Sequence, residues 1–543
     1  MKETPKNKSG RRIPPVLLIW LALFVIIIPI EAVREFVSSE ADSLRIFLHA
    51  AIGASLYFPV LGVWWLARRV IRGCSWRRVF ISLAAFVLVI AIGYGEEDWR
   101  GKHAWNQCKR ELEAQGEVLD WDKYIPPPVP DDQNFFKAPK MAEWFVGRNT
   151  TNDLYLRLND KKFAKISSSV GANNLISSAA LAQEYLAWSD QFKSDFDLIR
   201  EALKRPYARM DGDYSRPFKQ PIPNFVAERQ LAQMLAQRTH SYLLLNQPEN
   251  ALRELTLLND SRRLLESAPT GKPMTMVAAM INVAVTGLYV SAIADGQQSH
   301  IWQEPEWVAL QAQLKEINLP HFVAESFRGE VAGSSHTLEL MTTSSELKKM
   351  LSNQEKHRFW QRLLNPDFLI LNLAPRGWYY QNMRVAATLI HKGNDGFDFS
   401  NNLILPKKSE HALVEIEEVM QHFSPWSRWA RMAVPNFTKA TSITAKNQTL
   451  VNEAQIVCAL ERYRLAHDEY PGTLDALVPR FIDPLPHDII GGEPLHYQRT
   501  ADGKFLLYSV GWNETDDDGE IVRDKDGKVD LTQGDWVWKY PTQ

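Results

Sequence analysis

Three kinds of apolar spacing follow one another along this chain, and each predicts a different structure. Near the N-terminus the apolar residues run together: "VLLIWLALFVIIIPI" (Val16 to Ile30), "IFLHAAIGASLYFPVLGVWWLA" (Ile46 to Ala67) and "VFISLAAFVLVIAIGY" (Val79 to Tyr94). A helix that crosses a bilayer needs about 20 predominantly apolar residues. With their flanks the runs predict three membrane helices, over about 14–33, 46–67 and 76–95; the last run is short and needs Trp76 or Gly95 to reach the length. No small-x-small cleavage site follows the first run, so it reads as an anchor and not as a removed signal peptide.

Beyond Gly95 the spacing becomes helical. "EEDWRGKHAWNQCKRELEAQGEVLDWDKY" places Trp99, Trp105 and Leu112 among charges, as an amphipathic stalk helix does. "IPPPVPDDQN" (Ile125 to Asn134) predicts a stiff extended spacer after it, so that 96–134 holds the following domain off the membrane. From 135 to 440 the pattern is helical almost throughout. One stretch breaks into two helices at the Asn-Gln-Pro turn before Pro248, with Leu235, Thr239, Tyr242, Ala251 and Leu255 at spacings similar to a tetratricopeptide repeat. Without a second clear copy this predicts an irregular, solenoid-like stack of helix pairs. "MTMVAAMINVAVTGLYVSAIA" (Met274 to Ala294) carries no charge, but its alanines, Asn282, Ser291 and lack of a flanking basic cluster predict a buried central helix.

The last segment, 441–543, changes period again. Apolar residues at 450, 454, 457, 460 and 463 predict a helix. "TLDAL" reads as a second short helix, and Tyr497 to Arg499 with Phe505 to Val510 as a hairpin turning at Ala-Asp-Gly-Lys. The fold class is mainly α, with a small α+β module at the end.

Charge settles orientation more than partner class. The 543 residues carry a formal net charge of -2, so no global basic field points to nucleic acid. Lysine and arginine crowd the N-terminal tail and the Arg68 to Arg78 loop, whereas Glu96, Glu97 and Asp98 follow the third run. Positive residues stay on the cytoplasmic side, which puts the N-terminus inside and everything after Gly95 outside. Cys74, Cys108 and Cys458 have no metal-ligand spacing, and Cys458 falls in an apolar helical pattern, as a core residue and not as half of a disulfide.

Familiar catalytic motifs are absent: the chain has no GxSxG, HExxH, Walker or GxGxxG signature. Two short stretches, Arg328 with Glu330 and Arg376 with Trp378, Tyr379 and Tyr380, are candidate ligand-groove residues, since arginine and aromatic groups supply most contact energy at interfaces. From Asn513 to Asp530 the chain packs eight acids and three bases. "EIVR" and "KVDL" predict a hairpin around Asp-Gly, and "DDDG" a loop whose adjacent carboxylates a hard cation with oxygen ligands would hold.

The residues "ALERYRLAHDEYPGTLDAL", "LPHD", "PLHYQ", "LLYSVG" and "DLTQGDW" together resemble the C-terminal domain of the major pseudopilin of type II secretion systems. That resemblance implies a structural calcium site, mapping onto Asp516, Asp517, Asp518, Asp530 and Asp535. The whole chain is similar to uncharacterised bacterial proteins sharing the three spans, the proline-rich spacer and the pseudopilin-like tail. The resulting expectation is a multi-pass protein of the bacterial inner membrane with a periplasmic domain. Its first functional reading is a scaffold or adaptor facing the lipid bilayer and an envelope or secretion protein. The second is an extracytoplasmic hydrolase using carboxylates of the helical domain.

Overall fold

The computed structural model describes residues 76–147, 153–158, 178–266, 275–344, 373–421, 424–433 and 439–538. The expected membrane helices at 14–33 and 46–67 lie outside them. The chain divides into two compact units, Met1–Glu96 and Glu97–Gln543. The described residues are mainly helical, with small antiparallel sheets.

Helix α1 (Trp76–Ala114) has two chemistries. Its first half is apolar all round and exposed, from Phe80 and Ile81 through Val87, Leu88 and Val89 to Ile92 and Tyr94. A helix with no polar face has no stripe to select one side for burial. Its second half buries a single stripe, Trp105, Cys108 and Leu112. The helix ends where Gly116 takes φ 91° and Glu117 N–H closes on Leu112 O at 3.0 Å, a glycine-assisted stop.

The proline-rich stretch departs from its expected role. It does not stand free of the domain. Arg209 Nε donates to Pro126 O at 3.2 Å, Arg205 donates to the carbonyls of Asp131 and Asn134, and Asn134 bridges to Tyr207. Backbone carbonyls in such a stretch are acceptors, and the two arginines take those of Pro126, Asp131 and Asn134.

The helical body follows as α2 (Ala179–Ser189), α3 (Lys193–Leu203), α4 (Phe225–Leu244), α5 (Pro248–Arg262), α6 (Met276–Ser299), α7 (Glu304–Lys315) and α8 (Leu319–Thr343). Then come α9 (Arg376–Lys392), α10 (Pro406–Gln421) and α11 (Ala440–His467). Asn224 caps α4 by accepting from Ala227 N–H, and Pro248 opens α5 where a helix has no use for an amide proton. Leu235, Thr239, Tyr242, Ala251 and Leu255 are all buried between this pair. α6 is long and apolar enough to cross a membrane, yet it is mostly buried against α4, α8 and α11.

The C-terminal segment shares the core of the helical body. One cluster of buried residues runs from Trp105 through the helices to Trp536 and Trp538. α11 is buried along most of its length, including Ala454, Val457, Cys458 and Leu460. Cys108 and Cys458 are free thiols. "TLDAL" forms a 3-10 turn, Leu474–Leu477, and not an α-helix. Strands β1 (Phe397–Asp398) and β2 (Leu403–Ile404) form a small ribbon. β3 (His496–Arg499), β4 (Phe505–Ser509) and β5 (Trp536–Val537) make an antiparallel sheet in that order, with Tyr497 opposite Leu507 and Ser509 opposite Trp536.

Candidate functional site

Between α7, α11 and the loop Pro479–His487 lies a cleft of about 590 Å³. α11 supplies Gln448, Asn452 and Gln455, spaced so that all three fall on one helix face. α7 supplies Gln311 and Lys315, and the β1–β2 turn supplies Asn402. The loop adds backbone, Ile482, Leu485 and prolines, with cis peptide bonds before Pro479 and Pro484.

The walls are held by their own amides. Gln448 Oε1 accepts from Leu319 N–H at 2.9 Å, and its Nε2 donates to Asn452 Oδ1 at 3.0 Å. Asn452 Nδ2 donates to His487 O at 3.1 Å, tying α11 to the loop. Arg462 donates to Gln311 Oε1 at 2.7 Å and to Phe481 O at 2.8 Å, tying the loop to α7. Gln455 and Asn402 line the cleft with carboxamides that hydrogen-bond to no described residue. A carboxamide offers an acceptor and two donors in one plane, the complement of a peptide unit. Asp483 is the one carboxylate among the lining residues. Lys315, Arg480 and His487 are its basic lining residues.

The six residues expected to line a ligand groove do not come together in one. Arg328 donates to Glu325 Oε1 at 2.6 Å, lies 3.6 Å from Glu117 Oε1 and covers the ring of Phe399. His391 Nδ1 completes that cluster, 2.9 Å from Glu117 Oε1. Glu330, two positions on, faces away: its Oε1 accepts from Met276 N–H at 2.9 Å and caps α6, and burial raises its pKa. Tyr379 is fully buried, stacked on Trp429 with centroids 4.4 Å apart, its hydroxyl pKa pushed up to about 12 by desolvation. Trp378 and Tyr380 pack half-buried against the same core. Arg376 alone is exposed, at the first residue of α9.

The acidic stretch separates into two parts. Asp535 is buried, and its carboxylate accepts from Gly519 N–H at 2.7 Å and from Asp517 N–H at 3.1 Å, so it ties down the "DDDG" loop. Desolvation raises the Asp535 pKa, opposed by those two amides. Asp516 accepts from Asp518 N–H at 3.1 Å and from the Tyr508 hydroxyl at 3.0 Å, which lowers its pKa. Asp517 accepts from Asn513 Nδ2 at 2.9 Å, and Asp518 is exposed at φ 56°. Asp530 belongs to the adjoining stretch, where it accepts from the Thr532 amide and hydroxyl, both at 2.8 Å. The expected strands "EIVR" and "KVDL" do not form; the stretch is a tight turn closed by a single bridge, Arg523 to Val529, around Gly527 at φ 77°. Among the described residues no group of three or more His, Cys, Asp or Glu side chains is arranged to hold a metal ion.

No family model, no curated protein and no solved structure matches this chain. Its site is therefore argued from geometry. Sequence reasoning passed over the cleft because amides carry no motif. The available signal was the amide row at 448, 452 and 455, which falls on one face of a predicted helix. A polar stripe of that kind needs either partners or a ligand.

Proposed function

We propose that the chain is a membrane-anchored, extracytoplasmic scaffold that receives an extended peptide segment of an envelope or secretion protein in the cleft between α7 and α11. The observation that carries this reading is the cleft's lining: carboxamides and apolar walls, with Lys315, Arg480 and His487 beside a single carboxylate. The anchor is supported by the exposed apolar half of α1, since apolar patches of that extent on a folded chain mark membrane or protein contacts. Three spans, a cytoplasmic N-terminus and a periplasmic domain in the bacterial inner membrane belong to the same reading, on the lysine and arginine distribution.

The hydrolase reading draws on Glu117 and Glu325, which bracket Arg328. The guanidinium pairs with both carboxylates, and neither residue lines the cleft. That arrangement suits a structural clasp better than an acid–base pair.

The likeness to the pseudopilin C-terminal domain carries a structural calcium ion into the proposal. Asp516, Asp517, Asp518, Asp530 and Asp535 are the residues that would supply its oxygens; Asp518 is exposed, whereas Asp535 and Asp516 already accept from backbone amides of the same loop. Calcium is expected to raise the melting temperature of the purified protein relative to chelator. An unchanged melting temperature removes the ion and leaves the cleft reading intact.

The cleft itself is tested by a photo-crosslinking amino acid placed at Gln455 in the full chain, in its native membrane. The expected product is a discrete adduct whose crosslinked partner peptide maps to an unstructured segment. Adducts equal in pattern to those from an exposed position such as Glu201 would contradict the reading.

A further inference from the structure

On one face of α11, Thr449 Oγ1 and both carboxyl oxygens of Glu453 are buried with no hydrogen-bond partner among the described residues. Thr449 is 1% exposed and Glu453 0%. Four residues apart on a helix, the two side chains stand one turn above the other on the same side. A buried threonine in a helix ordinarily donates to the carbonyl one turn back. Thr444 does so on this same helix, to Ala440 O at 2.6 Å. Thr449 makes no such bond. Buried polar atoms are nearly always satisfied, so neighbouring orphan oxygens point to a partner of another kind.

Asp488 comes against the same part of α11. Asn452, next to Glu453, donates to His487 O at 3.1 Å and so draws the end of the loop onto the helix. The Asp488 side chain is buried and turned inward. Its Oδ1 accepts from Ile490 N–H at 2.9 Å and its Oδ2 from Val510 N–H at 3.2 Å. A carboxylate has about four lone-pair sites, so each oxygen keeps one open. Burial, and after it the charge of Asp488, holds the Glu453 carboxyl well above the usual carboxylate range, with Lys446 opposing. Two buried carboxyl groups this close repel as anions unless positive charge stands with them.

We propose that Thr449, Glu453 and Asp488 bind a calcium ion, separate from the one assigned to the acidic loop. The three side chains offer roughly five of the six to eight oxygens that calcium takes, and two carboxylates match its charge. Magnesium keeps several waters when it binds, which suits so buried a face less well. The proposal rests neither on the membrane anchor nor on what occupies the cleft. Its consequence does reach the cleft, because the ion joins α11 to the end of the loop that Asn452 already holds.

The test is equilibrium dialysis of calcium against the full chain in detergent. Asp516, Asp517 and Asp518 are all replaced by Asn, so that the acidic loop loses its adjacent carboxylates. One ion per chain is expected to remain bound. Adding Glu453→Gln is expected to remove it, and adding Thr449→Val to weaken it about tenfold or more. Melting supplies a sign that a folding defect does not imitate. In chelator, Thr449→Val loses an unsatisfied hydroxyl and is expected to melt no lower than its parent; in calcium it is expected to melt lower. No ion on the parent chain overturns the site, and so does an ion that Glu453→Gln leaves bound. Thr449→Val melting with the same offset from its parent in calcium and in chelator overturns it as well, and makes Glu453 a neutral carboxyl in a dry core.

Discussion

Gly101 and Gly377 let α1 and α9 touch backbone to backbone. A Cβ on Gly101 would overlap the Gly377 backbone, and one on Gly377 would overlap Glu97 O. Backbone atoms cannot move aside as a flexible side chain can, so Gly377→Ala is expected to cost about 1–3 kcal/mol of stability, read from thermal melting. Glu228 makes a different prediction. Burial in α4 raises its carboxyl pKa to about 8, whereas in the unfolded chain it titrates near 4.3. Between those values the folded protein binds the extra proton, so stability falls as pH rises through the window. Glu228→Gln removes that titration. The variant's melting advantage over wild type is expected to grow from pH 5 to pH 8, reaching on the order of a few kcal/mol. A difference independent of pH would refute the buried-neutral account. Neither residue announced itself in the sequence. A glycine pair needs a partner helix to have meaning, and a glutamate in a first helical turn looks like a favourable exposed charge.

The helices were more legible than the side chains they carry. The break before Pro248, the buried α6 and the hairpin of β3 and β4 follow from proline, apolar run length and period-two spacing, each a local signal. What the local pattern did not contain is the way the last segment closes onto the body. Glu461, fully buried on α11, accepts from Tyr470 at 2.5 Å, from Gln297 on α6 at 3.2 Å and from Arg464 at 2.9 Å. Trp538 then donates from just past β5 to Gln297 Oε1 at 2.7 Å. These partners are separated by up to 241 residues, a distance no period can span. Trp538→Phe keeps an aromatic ring but loses the indole's second ring and its N–H, leaving a buried carboxamide oxygen unsatisfied and a small void. It is expected to cost about 1–3 kcal/mol, with faster amide exchange at Trp538, whose N–H donates to Leu507 O at 2.9 Å. Unchanged melting and exchange would show that the bond contributes nothing.

At the scale of the whole molecule the anchoring proposal comes from the sequence and the cleft comes from the fold. Apolar runs and their basic flanks are contiguous, so a reader of the chain meets them together. The cleft assembles from α7, α11, the β1–β2 turn and Pro479–His487, which meet only in the folded state. The envelope or secretion partner proposed for it requires that the chain be anchored with the unit from Glu97 onward on the outer side. Protease added to cells with a permeabilised outer envelope measures this directly. The account predicts that epitopes placed after Gly95 are lost while an N-terminal epitope survives. Full protection of the Glu97–Gln543 unit, with digestion only after the inner membrane is opened, would contradict it.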